Sequence, residues 1–268
     1  MNLEFVTQHH LMNAILDYTL HLADNALILG HRNSEWTGHG PILEQDIAIS
    51  NIALDLLGQA RNFYQYAATL TNDKEVTEDT FAYLRDGWDF KNCLLVEQPN
   101  GDWAQTILRQ FLFSNYQFYF YQQLQNSTDS QLAAIAEKSL KEVTYHLRWS
   151  AEWVIRLGDG TEESNRRMNN AIDALWKFSG ELLLGSEYEN ELLKENISVD
   201  LSAIKEKWNN KTKEVFEEAT LNFPSATNEK GEIIWMQTGG KTGKHTEHLG
   251  YILADMQFLQ RTYPNAQW

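Results

Sequence analysis

The residues best placed to do chemistry sit in two long amphipathic stretches. Glu142, Tyr145 and His146 lie within about one helical turn of each other, and Leu56 and Gln59 stand three apart in the other stretch. A helical bundle that holds two irons takes a carboxylate from each of two helices and a Glu-x-x-His from each of the other two. The i, i+3 spacing aims both ligands at one point. Here the two places read Leu56-x-x-Gln59 and Glu142-x-x-Tyr145, and none of the eight histidines has a glutamate three residues before it. His146 follows Glu142 by four, a workable helical spacing, but one such pair cannot hold two irons. The facing positions, Asp24, Asn25 and Ala26 on one side and Asn115 on the other, are also a poor set of ligands. We therefore read Asn25, Leu56, Gln59, Asn115, Glu142 and Tyr145 as degenerate metal-site positions. Their amides, phenol and carboxylate are expected to hydrogen-bond to one another and keep the core specified. The plainer alternative is a scatter of polar residues at the edges of apolar seams.

Other motifs carry less. His245-Thr-Glu-His248 offers two imidazoles one turn apart with Glu247 nearby, but no third firm ligand, so a helix start packed on the bundle is preferred. Gly239-Gly-Lys-Thr-Gly243-Lys244 has three residues between its outer glycines where a Walker loop needs four, and His245 follows the lysine. Lys241 and Lys244 remain weak candidates for a phosphate at a helix N-terminus, against a flexible surface turn. Arg32, Glu35, Trp36 and His39, with Glu44, form a charged, Trp-bearing turn of the sort that supplies partner contacts; capping and local ion pairs are the alternative. No Gly-x-Ser-x-Gly, Cys–His pairing or Rossmann glycine pattern is present, so catalytic and cofactor-binding residues of those kinds are not expected.

These residues need long helices to position them. From Leu43 to Leu70 the apolar positions Ile49, Ala53, Leu56, Ala60, Phe63, Ala67 and Leu70 step by four and three, the mark of one continuous helical seam. Gln59 lies beside that seam, where an amide is costly unless it is hydrogen-bonded. Thr7 to Arg32 reads as the helix before it, across the break SEWTGHGP. Trp103–Gln125, with Ala104, Leu108, Phe111, Asn115, Phe118 and Gln122, and Asp129–Leu157 form a second pair. A polar crossover with short helices around Thr80–Trp88 and a turn at Pro99 joins the pairs. Two antiparallel pairs with one long crossover make an all-α, ferritin-like four-helix bundle. Glu162–Gly180, Ser186–Glu195, Asp200–Leu221 and His245–Tyr263 are expected as extra C-terminal helices, with Phe223–Lys244, including Pro224 and Gly231, irregular. No linker or repeat divides residues 1–268, so a single domain is expected.

Composition narrows the classes further. The net charge of −15 disfavours nucleic acid and anionic membranes, which need basic patches. With Cys93 as the only cysteine there is no disulfide framework or cysteine-based metal site. The N-terminus lacks the pattern of a secretion signal, and no apolar run approaches the roughly 20 residues a membrane span needs, so a cytoplasmic chain is expected.

Three segments then carry a likeness: GHRNSEW-GHGP-LE-DIA-NIALDLLGQAR, KEVTYHLRWS, and TGGKTGKHTEHLG with the terminal QW. Together they span nearly the whole chain, which resembles the C-subunit family of phenylacetyl-CoA epoxidase (phenylacetate-CoA oxygenase, the ring 1,2-monooxygenase). The resemblance implies a ferritin-like helical protein without metal or other cofactor of its own. It would pair with a catalytic A subunit that holds the di-iron centre and binds phenylacetyl-CoA, other components delivering electrons from NADPH. It further implies a non-catalytic structural role in aerobic phenylacetate breakdown. Self-association as a homodimer stays open. Two other readings stand beside it: a free-standing ferritin-like oxidase using Glu142, His146 and Tyr145, and a CoA-binding module using Lys241 and Lys244.

Overall fold

The structure is a computed structural model and describes residues 3–224, 235–264 and 266. Gly231 and the terminal Gln267-Trp268 lie outside the described residues. The first two helices are α1 (Leu3–Ser34) and α2 (Leu43–Leu70). The crossover carries α3 (Glu78–Tyr83), a single 3₁₀ turn at Gly87–Asp89, and the short α4 (Leu94–Glu97). Then come α5 (Trp103–Leu124), α6 (Ser130–Gly158), α7 (Glu162–Ser179), α8 (Glu187–Leu193), α9 (Leu201–Glu218) and α10 (Glu247–Thr262). Every regular element among the described residues is helical, and the architecture is the ferritin-like bundle with added helices.

Local signals place the starts. Asp102 caps α5 by accepting from the Gln105 N–H, and Asp129 caps α6 by accepting from the Gln131 and Leu132 N–H groups. Thr161 and Ser164 cap α7 reciprocally. The short helices expected around Thr80–Trp88 are α3 and the 3₁₀ turn at Gly87–Asp89; Thr77 and Thr80 start α3, which stops at Leu84.

Side-chain pairs fix the register. Between α1 and α2, Tyr64 donates to Asp24 Oδ1 at 2.5 Å, while Gly30 packs under Ala53 and Leu57. Between α1 and α5, Asn33 donates to Gln110 at 2.7 Å, and Tyr18 meets Phe120 at 6.4 Å between ring centres. Between α2 and α6 the pairs are Gln45–Trp149, Asp55–His146, Gln59–Glu142 and Tyr66–Asp129. Rising numbers on one helix meet falling numbers on the other in each case, so neighbours are antiparallel. One apolar core runs from α1 to α10, and Leu56 and Phe63 are fully buried in it. Truncating a side chain like Leu56 to alanine costs roughly 2–5 kcal/mol.

Helices α7 and α9 wrap the second pair, while α8 lies on α1 and α10 on α3. Helix α9 lies on α5, where Trp208 Nε1 donates to the Leu112 carbonyl at 3.1 Å, and the Trp208 ring lies tilted 5.8 Å from that of Trp176 of α7. Helix α5 is therefore buried on both sides, facing α1 and α2 on one and α7 and α9 on the other. No helix among the described residues is long and apolar enough to cross a membrane.

Candidate functional site in the bundle interior

Gln59 of α2 sits inside the bundle, 1% exposed. Its Nε2 donates to Glu142 Oε2 of α6 at 2.9 Å. Its Oε1 accepts from Gln117 Nε2 at 3.4 Å and from the Tyr121 hydroxyl at 3.3 Å, both on α5. The amide is thereby held from two neighbouring helices, which answers the cost of burying it. Burial raises the Glu142 carboxyl above its ordinary value, and the hydrogen bond from Gln59 pulls it part of the way back. Burial also pushes the Tyr121 phenol up, so it stays a protonated donor.

Gln117 and Tyr121 belong to a polar line along α5: Gln110, Ser114, Gln117 and Tyr121, spaced by four, three and four. Gln110 accepts from Asn33 at 2.7 Å and donates to Ser114 at 2.8 Å. This line, and not the Ala104–Gln122 seam, is the one that meets Gln59.

Of the six degenerate positions, the structure brings Gln59 and Glu142 together, with Leu56 buried one turn away. The other three point elsewhere. Asn115 faces outward, donating to the Trp208 carbonyl and to Thr212 of α9 at 3.0 Å each. Asn25 turns to the crossover, its Oδ1 accepting from the Cys93 N–H at 2.8 Å. Tyr145 is exposed on the solvent side of α6, with Arg148 over its ring. For the two asparagines the physical reason is shared: α1 and α5 are buried nearly all round, so a polar residue on either can face a neighbour outside the bundle. His146 is buried but its Nε2 faces Asp55 Oδ2 at 3.0 Å, outside the Gln59 cluster.

The partner-contact candidates divide in the same way. Arg32 is buried and donates through Nε and Nη2 to the Glu97 carbonyl at 3.2 and 3.0 Å. Trp36 packs edge-on against Trp103 and donates to Thr106 at 2.9 Å. Both are internal struts. Glu35 pairs with Arg32 at 2.9 Å yet stays exposed, as does His39, which lies over its own turn.

Lys241 is withdrawn from any phosphate role. It is buried, donating to both Glu189 oxygens at 2.9 and 3.2 Å and to the Leu184 carbonyl at 2.8 Å. Lys244 alone of the two is exposed. Glycine is required here for close approach: a Cβ on Gly240 would stand 2.2 Å from the Asn92 carbonyl oxygen. Gly243 has φ +79 and passes as near to the Trp88 carbonyl.

The segment thus clamps the C-terminal arm onto the crossover. Glu97 is its hub, accepting from His245 Nδ1 at 2.8 Å, Asn92 at 2.8 Å, and the Thr246 N–H and hydroxyl at 2.7 Å each. Glu181 accepts from the Leu94 and Gly239 N–H groups at 2.7 Å each. Burial opposes charging of His245, but Glu97 outweighs it and the pKa is raised. Burial also penalises the Glu189 carboxylate, yet Lys241 and His21 leave it below its usual range. His21 is driven down to about 4 by burial and by Lys241. The weighed metal pair at His245 and His248 fails because both ring nitrogens of His245 are already engaged, by Glu97 and by the Phe90 carbonyl.

The sequence reading missed the clasp's acidic half and the two α5 residues. The signals were there: Glu97 ends the apolar run Cys93-Leu-Leu-Val, where a carboxylate demands partners, and the α5 polar line has its own helical spacing.

Known proteins bear on this geometry. Residues 5–268 match the family described as phenylacetic acid catabolic protein. The chain is 48% identical over 257 residues to the C subunit of 1,2-phenylacetyl-CoA epoxidase from Escherichia coli (strain K12), covering 96% of this chain and all of that protein. The chain belongs to the phenylacetic acid catabolic protein family. For a member of this family with a ferritin-like bundle, the question is whether the interior fits a di-iron centre. It does not. Gln59 occupies Glu142 with a hydrogen bond, Gln117 and Tyr121 bring neutral groups, and His146 is turned to Asp55. Among the described residues no group of three or more His, Cys, Asp or Glu could hold a metal ion.

Proposed function

We propose that this chain is the non-catalytic structural subunit of a phenylacetyl-CoA epoxidase complex. It packs against a catalytic A subunit that carries the di-iron centre and holds that subunit in an active shape, in the cytoplasm, during aerobic phenylacetate degradation. The observation that carries the reading is the environment of Gln59. Where a bundle of this fold would converge carboxylates and imidazoles, an amide is tied to one half-buried carboxylate and two neutral donors. Such a cluster supports packing and has no group positioned to activate oxygen. Close relation over the full length to a protein named as a subunit supports the multi-subunit setting. The oxidase reading loses Tyr145 to solvent and the CoA reading loses Lys241 to Glu189.

The test is reconstitution. The purified chain, the A subunit and the electron-delivering components are combined with phenylacetyl-CoA and oxygen. Epoxidation is expected only when the A subunit is present, and to be raised by this chain; turnover by this chain with the reductase alone would overturn the reading.

A further inference from the structure

The first half of the outward face of α2 carries apolar side chains that the described residues leave uncovered. Leu43, Ile47 and Leu54 are 72, 52 and 65% exposed, and at 100° per residue they fall on one stripe pointing away from the core. A solvent-facing helix stripe is ordinarily polar, and scattered apolar residues need no account, but three aligned over three turns do. Gly58 continues the same line, one turn beyond Leu54. It sits in the middle of a 28-residue helix, and a Cβ added there would meet nothing within 4 Å. Nothing among the described residues requires a glycine at that point, and glycine weakens a helix interior relative to alanine. A backbone approaching from outside would require it.

We propose that this stripe, Leu43, Ile47, Leu54 and Gly58, is where a helix of a partner chain docks, its backbone passing closest at Gly58. Resting on the reading above, the occupant is a helix of the catalytic A subunit. Electrostatics disfavours a second copy: each chain carries −15, and Glu44 and Asp55 edge the stripe on the α6 side. The fitting partner helix therefore presents an apolar line flanked by lysine or arginine. Residues spaced 43, 47, 54 and 58 suit near-parallel or antiparallel helix packing at a shallow angle.

Binding of the full-length chain to purified A subunit is measured by calorimetry, with sedimentation to follow the oligomeric state. Leu54→Lys and Gly58→Leu are expected to weaken binding at least tenfold while leaving helicity unchanged. Gly58→Ala is expected to raise the Tm of the free chain by roughly 2 °C and to weaken binding less than the leucine variant. Glu218→Lys, at an exposed position of α9, serves as the control that should bind as wild type. Binding within twofold of wild type for both Leu54→Lys and Gly58→Leu overturns the docking face and leaves the scaffold reading intact. Failure of the wild-type chain to bind the A subunit overturns both. A wild-type dimer dissolved by Leu54→Lys, with A-subunit binding unchanged, assigns the stripe to a second copy and overturns the proposal.

Discussion

Two buried polar regions of this molecule are built on opposite plans. At the bundle centre the neutral Gln117 and Tyr121 donate to Gln59, which in turn donates to one half-buried carboxylate, Glu142. At the clasp between crossover and C-terminal arm, Glu97, Glu181 and Glu189 are fully buried and held by Lys241, His245 and backbone N–H groups. All four fully buried acids among the described residues, Asp24 included, bond to the crossover or the C-terminal arm. The chain can thus bury carboxylates at depth, and it does so where they fasten segments together. At the bundle centre it has amides and a phenol around Gln59 instead.

The contrast is open to measurement. Lys241→Met strands Glu189 in the interior, and breaking a buried pair from one side costs about 3–5 kcal/mol, readable as a lowered urea midpoint. Removing the carboxylate as well, by Glu189→Leu, is expected to restore part of that loss. Gln59→Leu leaves a carboxylate that can still reach water, so its cost is expected near 1–2 kcal/mol. Equal losses at the two sites would erase the distinction. Gln59→Glu sharpens it differently. A second carboxylate beside Glu142, whose pKa is already raised, makes the variant lose stability as pH rises above the ordinary carboxylate range. Wild type is expected to show less of that slope.

The clasp histidines give the most specific effects. His245 has a raised pKa, so the stability its charge contributes is fully present below about pH 6.5 and is lost as pH rises through the raised value. His21 is lowered to about 4, so stability from keeping it neutral is present above about 6.5 and lost as pH falls toward 4. Unfolding free energy measured against pH should lose its alkaline-side decline in His245→Gln and keep its acid-side decline.

The helices were legible because their seams are one-sided: α2 runs from Leu43 to Leu70 as its four-three spacing predicts. Where a helix is buried all round, spacing lost its meaning. On α5 both the Asn115 line and the Gln117 line are periodic, and only the packing of α9 decides that Asn115 leaves the bundle. The glycine-rich segment misled for another reason. Its glycines serve close backbone approach to Asn92 and Trp88, residues about 150 positions away, and no local pattern reveals a partner so distant. The Gln59–Glu142 pair was legible because an amide beside an apolar seam must be answered, and the antiparallel register supplies the answer.

Iron tests the bundle centre most directly. The purified full-length chain is equilibrated anaerobically with ferrous ion, passed through a desalting column, and its retained iron measured beside that of the A subunit treated alike. A centre built on Gln59, Gln117 and Tyr121 predicts no stoichiometric iron in this chain. Two irons per chain, released on Glu142→Ala, would contradict it.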